Sequence, residues 1–577
     1  MLEQPDDHAN QEEQSIKIRI LQVNLNKSEQ AHLDIINEEV SKNYDIMLIQ
    51  EPYATRLNAI RTPTNFSSVF PSNRFKEDTT TRSVIWVNKS LDTSNWMAIS
   101  IPDTSDITAI QLKGEYGKIT IFNIYNDCTH SRNEETLENY LRNRRNALAN
   151  GEDTHMIWAG DFNRHHPLWD DDRDTRLFTR QALREAEGII DLIAEYDMEM
   201  ALPKGIPTLQ HMRSRNYSRP DNVFCSTTLR PYVVKCKVEA QLRPPSTDHF
   251  PILTQIDLPQ SRIPPDPSFN FRAADWDEFR QALANRLNLM PRPEPIEDVQ
   301  QLERMGSDLT RALQETIEEK IKRSKPRPDA RRWWNSDLKK MRKELNKLRA
   351  VSYKNRIDTH HISHSELKRK SKIYGNAIIS AKKAHWEEYL ENLIGDDIWT
   401  TNKYIKNPVG DGGVSRIPTI RARNENGEET ATNDNEEKAR IFAKAFFPPP
   451  PNGIDVNAVQ VYPDPLPDPP PPTKQQIERT IRRLPSYKAP GPDGIPNIVL
   501  QKSFDMIADH LLYIYQAILR LGVFYDPWKE FTTIVLKKPD LNINIIILYI
   551  RRQVACYIGV KKKDDGPQLH CISSTEA

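Results

Sequence analysis

From Ile16 the chain alternates apolar Ile16, Ile18 and Ile20 with Lys17 and Arg19, the period-two pattern of a strand with one face buried. That strand runs out in Val23-Asn24-Leu25-Asn26. A helical spacing of His32, Leu33, Ile35, Ile36 and Val40 follows, and then a second apolar run, Asp45 to Gln50, which closes at Glu51-Pro52 because proline ends a strand. Further short strands are predicted over Ser83–Asn88, Asp106–Lys113, Lys118–Tyr125, His155–Ala159, Asn222–Cys225, Tyr232–Glu239 and Phe250–Ile256, with a helix over Leu177–Tyr196. Many short strands with few helices between them predict an α/β sandwich over residues 15–259, mostly antiparallel in its pairing, with helices on the outside.

The pattern then changes. Arg262-Ile-Pro-Pro-Asp-Pro-Ser reads as a linker, set at 260–272, and from 273 to 400 the spacing turns helical, with Leu302, Leu309 and Leu313, then Leu338, Met341, Leu345 and Leu348. Residues 401–472 are polar and then proline-rich, an extended spacer. A last ordered unit is expected over 473–540: a helix beginning at Thr473, a rigid turn over Lys488-Ala-Pro-Gly491-Pro-Asp493-Gly494-Ile-Pro, and a helix over Ile498–Phe524. The polar residues 1–14 and the tail 541–577 are expected to be disordered, the tail as an aberrant sequence.

Composition narrows the class. With 577 residues the chain is too long for one core. Its longest apolar run, Ile543–Ile550, falls well short of the roughly 20 residues of a spanning helix, so no membrane partner is expected. The N-terminus has neither the basic nor the apolar region of a secretory signal. Five scattered cysteines without a Cys-x-x-Cys pair read as reduced thiols of an intracellular protein, without a structural zinc site. Net charge is zero, yet Lys and Arg crowd between Lys320 and Lys383. There Arg331-Arg-Trp-Trp334 precedes Lys339, Lys340, Arg342 and Lys343. Aromatic rings beside positive charge suit phosphate contacts and base stacking, which would make RNA a partner. A helix with a buried tryptophan pair and solvated lysines explains the same residues.

Candidate chemistry gathers at the ends of the predicted strands. In His155-Met-Ile-Trp-Ala-Gly160-Asp161-Phe-Asn163 an apolar run stops at a glycine, and a carboxylate and a carboxamide two residues apart then point the same way. An Asx turn capping the strand accounts for the same residues. Asn24, Glu51, Tyr125, Thr208, Asp221 and the pair Asp248-His249 also flank apolar runs. Cleaving a phosphodiester takes an activated water, neutralisation of charge on the phosphoryl oxygens and stabilisation of a leaving alkoxide. This set can supply all three. Glu51 and Asn24 offer oxygen ligands for Mg²⁺, or for Mn²⁺ in its place. Asp161 can orient or deprotonate the nucleophile, Asn163 and Thr208 can donate to phosphate, and Asp248 can fix the ring of His249.

Asn24 in Val-Asn-Leu-Asn, Gln50-Glu51-Pro52, Asn123-Ile-Tyr125, Gly160-Asp-Phe-Asn163, Asp221-Asn-Val-Phe and Ser246-Thr-Asp-His249 together resemble the endonuclease/exonuclease/phosphatase superfamily, over about Ile16 to Leu258. The resemblance implies a four-layer, DNase I-like α/β sandwich, a metal ion on Asn24 and Glu51, catalysis by Tyr125, Asp161, Asn163, Asp248 and His249, and DNA contacts from Thr208, Asp221, Arg164 and His166. The extension His165-His166-Pro-Leu-Trp169 is similar to the endonucleases of non-LTR retrotransposons. Lys488-Ala-Pro-Gly-Pro-Asp-Gly494-Ile-Pro, with Trp528 and Leu536-Lys-Lys-Pro539, resembles the fingers region of the reverse transcriptase that follows the endonuclease in those elements. No Tyr/Phe-x-Asp-Asp hairpin follows it, so polymerase activity is expected to be absent. The resemblance implies a Mg²⁺-dependent endonuclease that nicks double-stranded DNA and acts in the nucleus, where Lys368-Arg-Lys-Ser-Lys372 is a candidate signal. Two alternatives stand beside it: a small-substrate phosphoesterase of the same fold, and a catalytically silent remnant that binds nucleic acid.

Overall fold

In the computed structural model, residues 17–37, 41, 43–56, 58–74, 76, 79–128, 132–143, 154–258, 268–323, 333–391, 411, 416–423, 429–447, 470–537 and 546–552 are described. The expected disordered start 1–14 and most of the proline-rich stretch lie outside them. The chain forms two compact units, one of residues 1–265 and 327–448, the other of 266–326 and 449–577.

The first unit opens with β1 (Ile18–Asn24), α1 (Glu29–Ile35), β2 (Ile46–Gln50), β3 (Phe66–Val69), β4 (Ser83–Asn88), β5 (Trp96–Ile99), β6 (Ile107–Gly114) and β7 (Gly117–Tyr125). It continues through α2 (Arg132–Asn143), β8 (Thr154–Asp161), α3 (Arg180–Glu195), β9 (Met198–Met200), β10 (Leu209–Gln210), β11 (Tyr217–Ser218), β12 (Asp221–Ser226), β13 (Val233–Val238) and β14 (Ile252–Ile256). Two six-stranded sheets result, in the orders β13-β14-β1-β2-β4-β3 and β5-β6-β7-β8-β12-β9. Among the described residues only β1 with β2 and β7 with β8 run parallel, so each sheet is mixed. The remaining described pairs within both sheets are antiparallel.

Alternation decides the layers. One face of each sheet turns inward, where Ile18, Ile20, Ile46 and Leu48 meet Ile110, Ile119, Ile121 and Ile157 in a shared core. The outer face of the second sheet, with Phe122 and Trp158, packs on Leu137 and Leu141 of α2 and Ile189 and Leu192 of α3. At the site-bearing end the core between the sheets turns polar. Asn123 donates to the carbonyls of Ile49 and Val84 and accepts from Gln50, while Gln22 donates to the Gly160 carbonyl 2.8 Å away. These buried bonds cross from one sheet to the other and fix their alignment, since each would cost free energy if broken.

The outer face of the first sheet departs from the expected boundary at 259. Leu21, Val23, Met47 and Ile49 are covered by α1 and also by Leu338, Leu345, Tyr374 and Ile378. These residues follow α4 (Trp276–Leu289) and α5 (Val299–Lys320), and belong to α6 (Ser336–Lys354) and α7 (Ile362–Glu391). The helical region expected as one piece over 273–400 is therefore divided, because α6 and α7 present an apolar face that the first sheet needs. A buried ion pair joins them to α1: Arg342 Nε lies 3.1 Å from Asp34 Oδ1, which also accepts from the Tyr374 hydroxyl at 2.5 Å. Of the tryptophan-and-basic stretch, Trp333 and Trp334 pack partly buried against this core and Arg342 is buried, while Lys340 and Lys343 are exposed.

Part of the expected linker 401–472 is also folded. It forms β15 (Ile420–Arg423), β16 (Glu429–Thr432) and α8 (Asn435–Phe446). Asn433 donates to the carbonyls of Thr93 and Ser94, and Arg416 lies over the Trp96 ring at 3.8 Å, so this segment covers the end of the second sheet.

In the second unit α4 and α5 pack with α9 (Lys474–Arg483) and α10 (Asn497–Leu521) around Phe279, Leu309, Leu313, Ile481, Ile507 and Ile514. Thr473 and Gln476 cap α9 reciprocally. The Lys488–Pro496 turn closes on a Gly494 with φ of 70° and a bond from its N–H to the Gly491 carbonyl. Of the tail expected to be disordered, β18 (Ile546–Arg552) pairs antiparallel with β17 (Phe531–Lys537), and the rest lies outside the described residues. Among the described residues no helix is long and apolar enough to cross a membrane.

Candidate active site

The candidate residues converge at one end of the sandwich because β1, β2, β7 and β8 all finish there. Parallel pairing sets Asn24 opposite Gln50, next to Glu51, and Tyr125 opposite Asp161, while antiparallel pairing sets Asp221 opposite Asp161. Gly160 is required for the close approach of β8 to β7: a Cβ there would lie 1.8 Å from the Ile124 carbonyl oxygen. Several turns around the site hold non-glycine residues at positive φ, among them Asn26 at 49°, Glu51 at 42°, Asn163 at 48° and Ser246 at 61°. Strained backbone of this kind is held by its surroundings and collects where function positions a side chain.

At the centre, His249 Nδ1 lies 2.8 Å from Asp221 Oδ2. Its Nε2 lies 3.8 Å from Asp161 and 3.9 Å from Asp248. Burial works against a charged imidazole, but Asp221, Asp161 and Asp248 outweigh it and lift the ring to about 9. Asp161, 1% exposed, accepts from Asn24 Nδ2 at 2.9 Å and from the Asn163 N–H at 3.2 Å. Burial first and the Asp221 carboxylate second push Asp161 upward against the opposing effect of His249. Tyr125 is pushed well above the ordinary phenol range by burial, with Glu51, to which it is hydrogen-bonded, and Asp161 adding to it, so it stays a neutral donor. Glu51 is paired with Lys27 at 3.1 Å.

Asp221, Asp161 and His249 form a buried group whose ligand atoms lie within 4.8 Å of one another, consistent with a divalent ion nearby. Beside it the Glu51 carboxylate and the Asn24 carboxamide supply hard oxygen donors, and the place by Glu51 already accepts the positive charge of Lys27.

Other assignments change. Asp248 does not fix the His249 ring; it lies on the Nε2 side and accepts from Asn26 at 3.3 Å, and Asp221 holds the ring instead. Neighbours in an extended chain point to opposite sides, so the residue next to a histidine in sequence is badly placed to orient it. Thr208 is fully buried, its hydroxyl accepting from the Asp221 N–H at 3.1 Å, which positions Asp221 and leaves no path to DNA. Arg164 is 3% exposed and turned inward, 3.0 Å from Glu134 and bonded to the Glu185 carbonyl. His166 accepts from the Leu168 N–H and sits 5.4 Å from the buried Trp169 ring, so the His-His-Pro-Leu-Trp segment folds this loop onto the core. Asn163 donates to the Asn126 carbonyl at 2.7 Å, and Asn126 in turn donates to Glu134. Sequence reasoning missed Asn126 and Gln22, and gave Asn123 no role of its own. A polar residue inside or ending an apolar strand is the signal that marks all three.

Residues 119–253 match the family described as endonuclease-reverse transcriptase. The chain is 24% identical, over 74% of its length, to the 115 kDa protein of the type-1 retrotransposable element R1DM of Drosophila melanogaster, and spans 41% of that protein. It is 22% identical, over 86% of its length, to the RNA-directed DNA polymerase of the mobile element jockey of Drosophila funebris, and spans 52% of it. Among solved structures, the endonuclease domain of TRAS1, a telomere-specific non-LTR retrotransposon, covers 42% of this chain and 99% of its own at 22% identity and TM-score 0.32. The AP endonuclease LMAP of Leishmania major covers 42% and 88% at 13% identity and TM-score 0.33. Over residues 119–253 the sandwich that carries this site thus matches the endonuclease-reverse transcriptase family, in a chain similar to proteins of the R1 and jockey mobile elements.

Proposed function

We propose that the chain is a divalent-metal-dependent DNA endonuclease that nicks one strand of a target duplex and leaves a 3′-hydroxyl. The observation that carries this reading is the His249–Asp221 pair facing Asp161, with Asn24, Glu51 and Tyr125 beside it. Asp221 keeps the imidazole in one orientation with its Nε2 edge toward Asp161 and Asp248, so a charged His249 can neutralise a phosphoryl oxygen brought beside it. Asp161, held by Asn24 and the Asn163 N–H, is placed to orient the attacking water and take its proton, a role that a raised carboxylate favours. Tyr125, a neutral donor beside Glu51, would donate to the phosphate. A bound Mg²⁺, with Mn²⁺ as a substitute, would be held by Glu51 and Asn24 and would supply charge neutralisation at the phosphate and the leaving oxygen.

The likeness to R1 and jockey proteins runs over 449 and 513 aligned residues, longer than the sandwich itself. This supports reading 473–537 as the beginning of a reverse transcriptase region, with the nick serving as its primer and the nucleus as its place of action. Among the described residues the second unit gathers no group of three potential metal-binding side chains, so the proposed chemistry resides in the sandwich. The test is the chemistry of the nick. A DNA polymerase should extend the product directly, whereas a product that needs a phosphatase before extension would contradict the reading.

A further inference from the structure

The loop that carries Asp248 and His249 is held on one side by a residue more than a hundred positions further along and on the other by Gln30, which itself leans on α7. On one side Phe250 meets the Tyr353 ring edge-on at 5.0 Å and stacks with Tyr217 of β11 at 6.3 Å and an interplanar angle of 10°. Tyr353 donates to the Pro207 carbonyl at 3.1 Å, and Arg356 lies over the Tyr353 ring at 4.8 Å. On the other side Ser246, at positive φ, donates to Gln30 Oε1 at 2.5 Å. Gln30 is flanked by Gly375 and reaches Asn376 of α7 at 3.5 Å, and Glu29 pairs with Lys382 at 2.7 Å.

The β10–β11 hairpin is bonded to the same loop: the Thr208 carbonyl accepts from the Phe250 N–H, and the Gln210 N–H donates to the Asp248 carbonyl. The tip projects His211, Met212, Arg213 and Asn216 into solvent, with Arg215 half exposed and at a φ of 62°. Two arginines on a projection beside a phosphodiester site suit a nucleic-acid backbone. A short two-stranded hairpin has little stability of its own. Its pose must come from what it leans on: Phe250 and Tyr353, the Asp248 carbonyl, and the arginines Arg243 and Arg176 that reach Gln210 and the Tyr217 carbonyl.

We propose that α6 and α7, though they lie beyond the last strand of the sandwich, are a positioning element of the nuclease: Tyr353 and Arg356 set the pose of the 203–218 segment and thereby where the target duplex is nicked. This rests on the endonuclease reading for its second half only. Tyr353 touches no substrate; it acts through Phe250 and the Pro207 carbonyl.

The experiment compares full-length wild type with Tyr353→Ala, Tyr353→Phe and Arg356→Ala by amide hydrogen exchange and by mapping nicks on a supercoiled plasmid. Expected for Tyr353→Ala is about tenfold faster exchange confined to 207–218 and 246–250, as fits the loss of an aromatic contact and a hydrogen bond. The nick positions spread, KM rises by about tenfold and kcat stays within about threefold, the pattern of lost uniform binding. Tyr353→Phe keeps the ring contact and restores most of the nick map. Unchanged exchange and an unchanged map in Tyr353→Ala overturn the proposal, as does a change that appears only with uniform loss of protection across the chain. Locally faster exchange in a protein whose wild type does not nick supports the brace and overturns the endonuclease reading.

Discussion

Asp221 is the residue whose role separates this site from a collection of strand-end polar groups. It pairs in register with Asp161 and holds His249 by a 2.8 Å bond. Asp221→Asn is expected to lower nicking by about 10³-fold or more while the fold persists, the scale seen when a carboxylate orienting a catalytic histidine is removed. Steady-state rates with circular dichroism alongside check it. The same pair predicts a pH dependence. His249 sits at about 9 in the folded chain, above the ordinary value near 6.5, so its stabilisation is complete below that value and is lost as pH rises through about 9. Asp161, also raised, works in the same direction at lower pH. Urea midpoints measured in EDTA should fall between pH 6.5 and 9 in the wild type, and the fall should flatten in Asp221→Asn. The residue types at the site were legible because each stands at the end of an apolar run. Their roles were not, because cross-strand register decides which carboxylate meets the ring. Arg164 came with the resemblance as a DNA contact, and nothing in its spacing tells that its side chain turns inward onto Glu134.

At the scale of elements, strands with a clear alternation or a continuous apolar run, such as β2, β4, β7 and β8, were predicted within a few residues. Within the two six-stranded sheets the strands that sequence reasoning missed, β3, β5 and β9, all lie at edges and span only three or four residues. An edge strand pairs on one side only, so it needs less alternation and leaves a weaker trace. The parallel approach of β7 and β8 admits no side chain at Gly160, and Gly160→Ala should cost more than about 3 kcal/mol, beyond ordinary overpacking; a loss of soluble protein or a strongly lowered urea midpoint checks it. The contact of α6 with α1 rests on the buried Asp34–Arg342 pair. Arg342→Ala leaves a buried carboxylate without its cation and should destabilise by about 3–5 kcal/mol, whereas Asp34→Asn combined with Arg342→Met should recover most of that loss.

At the scale of the molecule, a compact unit assembled from 1–265 and 327–448 could not be read from the pattern of a single segment. Amphipathic spacing shows that α6 and α7 bury one face, but it does not name the partner, which lies three hundred residues earlier. A fragment ending at residue 259 would expose the outer face of the first sheet. Each of Leu338, Leu345 and Ile378 contributes about 1.5–3 kcal/mol by its burial, so the fragment should unfold at a clearly lower urea concentration than the same segment in the full chain. Equal midpoints would show that α6 and α7 are dispensable to the fold. The most direct test of the whole account is therefore made on the full chain: nicking of supercoiled plasmid with Mg²⁺ or with EDTA, beside Asp161→Ala and His249→Ala. Nicking is expected in Mg²⁺ and disappears with EDTA and in both variants. Nicking retained by either folded variant would contradict the endonuclease reading.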